Sequence, residues 1–254
     1  MYIDVHAHLA DSKYGGQIDN LVDAYRKVGV GLVINSGYDI PSSIAVMEQS
    51  ERYSDMFFSA GVHPDEAKTL DNQSIDQLFR LASHKKCLAV GEIGFDFYWN
   101  KSTEEEQIFA FEKQMEIADH LKLPFVVHSR DASAKTLAFL KDRKSLLKRG
   151  FLMHCYSESA ESAKIYKDLG AYFSFGGVIT FKNAKKDEII RAIGKDRLLT
   201  ETDAPYLTPH PYRGQINDSS KVVFVADKMA EILGCEKEQM QEIIYSNAKE
   251  LFGV

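Results

Sequence analysis

Short apolar runs separated by longer amphipathic stretches recur along the whole chain, and this alternation limits the fold more than any other feature. The runs are Tyr2–Val5, Val30–Ile34, Met56–Ala60, Leu88–Val90, Phe125–Val127, Gly150–Met153, Ala171–Phe175 and Arg197–Thr200. Most are rich in β-branched or aromatic residues, and all are short, as buried parallel strands are. Between them, Thr103–Leu121 is the clearest helix. Ile108, Phe111, Met115, Ala118 and Leu121 recur at three- and four-residue steps, and Glu104–Glu106 place negative charge in the first turn. Ser159–Leu169 and Asn183–Ile193 run into Gly170 and Gly194, which are placed to end helices. Lys221–Leu233 and Glu236–Phe252 read as two more helices. About eight strand-then-helix units in roughly 250 residues is the arithmetic of one α/β domain, a (β/α)8 TIM barrel over residues 1–254. A doubly wound open sheet is the rival, but no GxGxxG follows the first strand.

Composition narrows the setting. A hydrophobic fraction of 44% builds a large core without disulfide staples. Cys87, Cys155 and Cys235 cannot all pair and lie far apart, which points to a reducing compartment, the cytoplasm. The absence of any CxxC excludes a zinc finger. No stretch approaches the roughly 18 apolar residues of a membrane helix, and Met1–His8, a short apolar run that reaches Asp4 at once, is not expected to act as a signal peptide. A net charge of −6 argues against a broad basic surface coating a duplex. It leaves room for a nuclease whose site takes positive charge from a metal ion.

The polar residues that close the strands carry the chemistry. His6 and His8 are two apart, so in a strand both imidazoles project to one side, half of a metal site. Glu92 (in VGEIGFD), His128 (PFVVHSR), His154 (FLMHCYS) and Asp203 (LLTETDAPY) each follow an apolar run. Taken singly, each is a polar residue where a strand surfaces. Six ligand-type residues at five strand ends are hard to obtain that way, and the C-terminal end of a barrel is where active sites assemble. Four His, one Glu and one Asp suit two divalent ions with a bridging carboxylate, and the donors do not select among Zn, Mn, Mg, Ni and Co.

These residues also carry a resemblance. GVHP (61–64), GEIGFD (91–96), VVHSRDA (126–132), HCYS (154–157) and ETDAPYL (201–207) stand in the order seen in the TatD family of metal-dependent deoxyribonucleases. The chain resembles that family from IDVHAHL at its start to NAKELFG at its end. The resemblance implies a binuclear hydrolase, with His6, His8 and Asp203 on one ion, His128 and His154 on the other, and Glu92 bridging. It also implies phosphodiester hydrolysis, nibbling DNA from an end. The chain departs from the family pattern at Ala10, at Ala134 and in Arg213–Ser219, none of them a proposed ligand.

The expected mechanism has water activated between the ions, with Glu92 holding them and Asp203 accepting or steering the water's proton. His63, before Pro64, either contacts substrate or shapes its turn. Arg130 and Arg213 are the natural phosphate clamps, because guanidinium forks match phosphate oxygens. Cys155 adjoins His154 and, as the next residue of a strand, should point away from it. The acidic chain should hold DNA through few phosphates, which favours single strands or ends. Two rivals share the residues: a metal-dependent amidohydrolase or lactonase acting on a small molecule, and a metal-binding scaffold without turnover. The complete ligand set argues against the scaffold.

Overall fold

The computed structural model describes residues 1–254, and strands and helices alternate along it almost without exception. In chain order they are β1 Tyr2–Ala7, α1 Ile18–Lys27, β2 Val30–Ser36, α2 Ile40–Arg52, β3 Met56–Ala60, α3 Asn72–Ala82, β4 Cys87–Asp96 and α4 Glu104–Leu121. Then come β5 Phe125–Arg130, α5 Ser133–Asp142, β6 Phe151–Met153, α6 Ala160–Asp168, β7 Ala171–Phe175, α7 Asp187–Ile193, β8 Leu198–Thr200, α8 Val222–Leu233 and α9 Lys237–Phe252. The eight strands form one parallel sheet in sequential order, β1 through β8, curled into a nearly closed barrel with helices alternating around it. This is the TIM-barrel architecture that the apolar runs imply.

Local chemistry starts several helices. Asp39, Asp71 and Thr103 each accept the backbone N–H three residues on, and the side chains of Ser42, Ser74 and Glu106 return a bond to the cap. One continuous hydrophobic core joins barrel and helices. Within it Phe125 stacks on Phe151 at 5.4 Å, and Phe95 meets Phe111 and Phe139 edge-on.

The strands run further than their apolar segments. β4 does not stop at Val90 but continues to Asp96, with every residue buried, so Glu92 lies inside the strand. Glycines and carboxylates interrupt the apolar pattern there, while the backbone ladder to β5 continues. Gly94 permits the close approach. Its φ is +142°, and a Cβ at this position would lie 2.0 Å from the His128 carbonyl oxygen. At the other limit, α7 starts at Asp187 rather than Asn183, because Lys185 takes a left-handed conformation that interrupts the helix.

β8 and β1 share no ladder, and side chains and the segments beyond the strands close the gap. Thr200 Oγ1 donates to the Ile3 carbonyl at 2.7 Å. Buried Asp4 accepts Thr202 N–H at 2.9 Å and Thr202 Oγ1 at 2.6 Å. Asp203 N–H donates to the His6 carbonyl at 3.0 Å, and His8 N–H to the Ala204 carbonyl at 2.7 Å.

Candidate metal centre

The C-terminal strand ends bring His6, His8, Glu92, His128, His154 and Asp203 together. His6 belongs to β1 and His8 lies just beyond it, with their Nε2 atoms 3.2 Å apart. Asp203, left-handed at φ 51°, turns its Oδ1 to 3.5 Å from His8 Nε2 and 3.9 Å from His6 Nε2. His128 Nδ1 and His154 Nε2 lie 3.3 Å apart.

Glu92 stands between the two imidazole pairs and divides its oxygens. Oε2 faces His6 and His8 Nε2 at 3.4 and 3.7 Å. Oε1 faces His128 Nδ1 and His154 Nε2 at 2.7 Å each.

Hydrogen bonds behind the rings fix which nitrogens are free. His8 Nδ1 lies 2.9 Å from the Ser36 carbonyl, which can only accept, so Nδ1 carries the hydrogen and Nε2 keeps a lone pair. His128 Nε2 lies 3.0 Å from Asp96 Oδ2, which leaves its Nδ1 lone pair aimed at Glu92. Ser36 Oγ supports His6 Nδ1 at 3.1 Å. Lone pairs and carboxylate oxygens thus converge on common points, which is stable only with a cation or extra protons between them. The spacing suits a metal: donors about 2.0–2.1 Å from a tetrahedral ion are roughly 3.4 Å apart. Two donor groups cluster this way, His6–His8–Asp203 and His6–Glu92–His154, and His63 lies close to Glu92 and His128 beside them.

The electrostatics agree. Burial opposes charge on Glu92, yet the imidazoles of His154 and His63 hold its carboxyl well below the ordinary glutamate range. Burial likewise opposes protonation of His154, but Glu92 and Glu201 pull it well above the ordinary histidine value. His8 and His128 move up in the same way, through Asp203 and Glu92 for His8 and through Asp96 and Glu92 for His128. Burial opposes charge on Asp203 too, and His8 holds its pKa below the usual range. A metal ion binding here displaces protons.

The other expected residues fall in different places. His63 shapes its turn and also faces the centre. Its Nδ1 accepts Asp65 N–H at 3.1 Å, capping the turn, while Nε2 points to Glu92 Oε1 at 3.7 Å. Burial, together with the charge of His128, drives its pKa down to about 3, so it is a neutral ring with a donor at Nε2. Arg130 is exposed, lines the same cavity and stacks on Tyr98 at 4.0 Å. Arg26, Arg52, Arg143 and Arg197 pair with carboxylates, and Arg130 does not. Arg213 is elsewhere: it stacks on Phe181 at 4.3 Å in a separate hollow beside Lys182.

Cys155 corrects the strand argument. β6 ends at Met153, and Cys155 sits at φ 47°, so it turns into the cavity beside His154 instead of away from it. Burial and the neighbouring carboxylates Glu201 and Asp203 push its thiol well above the usual range, so it is no thiolate nucleophile.

Several supporting residues are not evident from the strand-end pattern. Asp96 orients His128, Asp4 accepts His6 N–H at 3.3 Å, and buried Glu201 lies 3.7 Å from His154 Nδ1. Asp96 had a signal: Glu92, Gly94 and Asp96 share one face of β4. The cavity over the centre measures about 750 Å³, within the range of small-molecule sites.

Comparison with known proteins fits this geometry. Residues 3–253 match the family described as "TatD related DNase". The chain is 36% identical to "Uncharacterized metal-dependent hydrolase YabD" of Bacillus subtilis, over 100% of both chains. It is 34% identical to "Uncharacterized metal-dependent hydrolase YcfH" of Escherichia coli K12, over 99% of this chain and 96% of that one. The crystal structure of YjjV, a TatD homolog from Escherichia coli K12, superposes with a TM-score of 0.92 at 27% identity, covering 100% of this chain and 98% of that one. Continuous family similarity, the parallel barrel and the convergent His, Glu and Asp donors lead to one conclusion: the chain belongs to the TatD-related DNase family of metal-dependent hydrolases.

Proposed function

We propose that the protein is a deoxyribonuclease of the exonuclease type, cleaving phosphodiester bonds at single-stranded ends of DNA with two divalent ions. The observation that carries this reading is Arg130, a cation without a carboxylate partner at the mouth of the cavity over the metal centre. A phosphodiester brings negative charge for it to bind, whereas a neutral amide or lactone does not. The family description points the same way.

Bound divalent ions supply Lewis acidity toward a phosphoryl oxygen and make nearby water more acidic. Glu92 serves both imidazole pairs, one oxygen to each, and is the natural bridge. Asp203 stays ionised beside His8 and can accept or steer the proton of the attacking water. Arg130 holds non-bridging phosphate oxygens through its guanidinium fork. The Nε2–H of neutral His63 faces the same space and can donate to substrate oxygen.

The test is a metal-reconstituted assay on single-stranded DNA, duplex DNA, RNA and a panel of lactones and amides. DNA cleavage should vanish in chelator and return with divalent metal. Turnover of the neutral panel alone would overturn the nuclease reading. Arg130→Met should keep metal content and lower kcat/KM for the phosphodiester by about 1.5–3 kcal/mol, the range for hydrogen bonds to charged groups. An equal loss on a neutral ester would remove Arg130 from the site.

A further inference from the structure

Exposed aromatic side chains gather at one place on this molecule. Seven are exposed in all, and four of them, Tyr38, Tyr98, Trp99 and Tyr206, line the cavity over the metal centre or stack on the arginine at its mouth. Trp99, the sole tryptophan of the chain, is 55% exposed. Leaving so large an apolar ring in water is unfavourable.

The turn that presents this ring is anchored. Backbone N–H groups of Tyr98 and Trp99 both donate to Asp96 Oδ1 at 2.9 Å, while Asp96 Oδ2 faces His128 Nε2 at 3.0 Å. One buried carboxylate therefore positions both a candidate metal ligand and the aromatic turn. Two cations flank the ring. The Arg130 guanidinium lies 5.5 Å from the Trp99 centroid, and Lys101 Nζ lies 5.8 Å from it, braced by Asp65 at 3.1 Å.

An exposed indole with two cations within about 6 Å of its centroid, beside a phosphodiester centre, has the composition of a single-strand nucleic-acid site: charge for the backbone and an aromatic ring for a base. We propose that Trp99 is a stacking platform for an unpaired nucleobase adjoining the scissile phosphate. This rests on the phosphodiesterase reading and names the substrate feature that the site selects. A base paired within a duplex cannot offer its face to Trp99 without leaving the stack. The indole has one hydrogen-bond donor and no acceptor, so the platform is tolerant of base identity.

Because Trp99 is the only tryptophan, its fluorescence reports on this ring alone. Chelator-treated protein, which cuts nothing, is titrated with a thymidine tetramer and with a tetramer of the same sugars and phosphates lacking bases. The metal-loaded wild type, Trp99→Ala and Trp99→Phe are then compared on both oligomers. The base-bearing oligomer should quench the fluorescence and the base-free one should not. In wild type kcat/KM should favour the base-bearing oligomer by about 5- to 150-fold, as expected for one stacked base. Trp99→Ala should abolish that preference, and Trp99→Phe should retain part of it.

Equal quenching by both oligomers, or an unchanged preference in Trp99→Ala, would overturn the platform while leaving the nuclease intact. Base-dependent quenching without cleavage of either oligomer would keep the platform and overturn the phosphodiesterase reading. Neither quenching nor cleavage would overturn both.

Discussion

Replacing Asp96 by Asn changes one oxygen to an amide in a buried position where every bond is already assigned. Oδ1 accepts two backbone N–H groups at 2.9 Å, and Oδ2 faces the Nε2–H of His128 at 3.0 Å. Asn offers one acceptor and one donor group. If its oxygen stays with the turn, its NH2 confronts His128 Nε2. His128 must then place its lone pair on Nε2 and its hydrogen on Nδ1, the nitrogen that faces Glu92 at 2.7 Å. The ring is then protonated where it should bind metal. If the amide flips instead, His128 keeps its tautomer and the turn carrying Trp99 loses both bonds. Changes to partners of this kind cost about 10- to 100-fold in metal affinity or activity, or about 1.4–2.7 kcal/mol. Competition against a chromophoric chelator measures the affinity, and nitrogen-15 NMR of the histidines reads the tautomer. Wild-type metal affinity together with an Nε2-protonated His128 and an undisturbed turn would refute the reasoning.

Three further outcomes are expected. Glu92→Gln should expel at least one ion and cut activity by about 100-fold or more, since two cations close together need the shared anion; metal analysis and circular dichroism check occupancy and fold. Gly94→Ala forces a Cβ onto the His128 carbonyl, so stability should fall by about 1–3 kcal/mol, with Tm lower by about 2–10 °C in a thermal melt, and metal affinity should fall with it. Glu158 is raised by burial and its Oε2 has no partner. The neutral form is favoured in the fold, so Glu158 stabilises below its unfolded pKa and that contribution is lost as pH rises through the folded value. Melts of Glu158→Gln and wild type from pH 4 to 8 should show the variant gaining with pH; a constant difference would contradict this.

The barrel was legible because each strand, buried on both faces, leaves an apolar run, and each helix leaves a 3.6-residue period. The candidate ligands were legible because they sit one or two per strand end. What escaped has physical causes. The second half of β4 is disguised because Gly91, Glu92, Gly94 and Asp96 serve close packing and ligand placement rather than hydrophobicity. Glu201 lies on a different segment from the His154 ring it faces, and only the folded barrel joins them. Cys155 was misplaced because period-two reasoning fails once the chain leaves the strand through a left-handed residue. Arg213 follows a long irregular segment whose path no periodicity records.

The join between β8 and β1 governs the order in which the molecule can be completed. During synthesis β1 emerges first and can pair with β2 early, but its other edge stays open until residues 198–204 arrive. The bonds that then seal it, Asp203 to His6 and His8 to Ala204, involve the candidate ligands themselves. Closing the barrel completes the His6–His8–Asp203 group, which a nascent chain that ends before residue 203 lacks. Once formed, an ion on His6, His8 and Asp203 ties the first strand to the segment after the last, acting as a non-covalent cross-link over most of the chain. Because these ligands meet only in the folded barrel, the binding free energy of such an ion would add to the stability of the closed form. Loss of metal should therefore register first as fraying at this join, with hydrogen exchange rising at β1 and at residues 201–204 before the rest of the barrel.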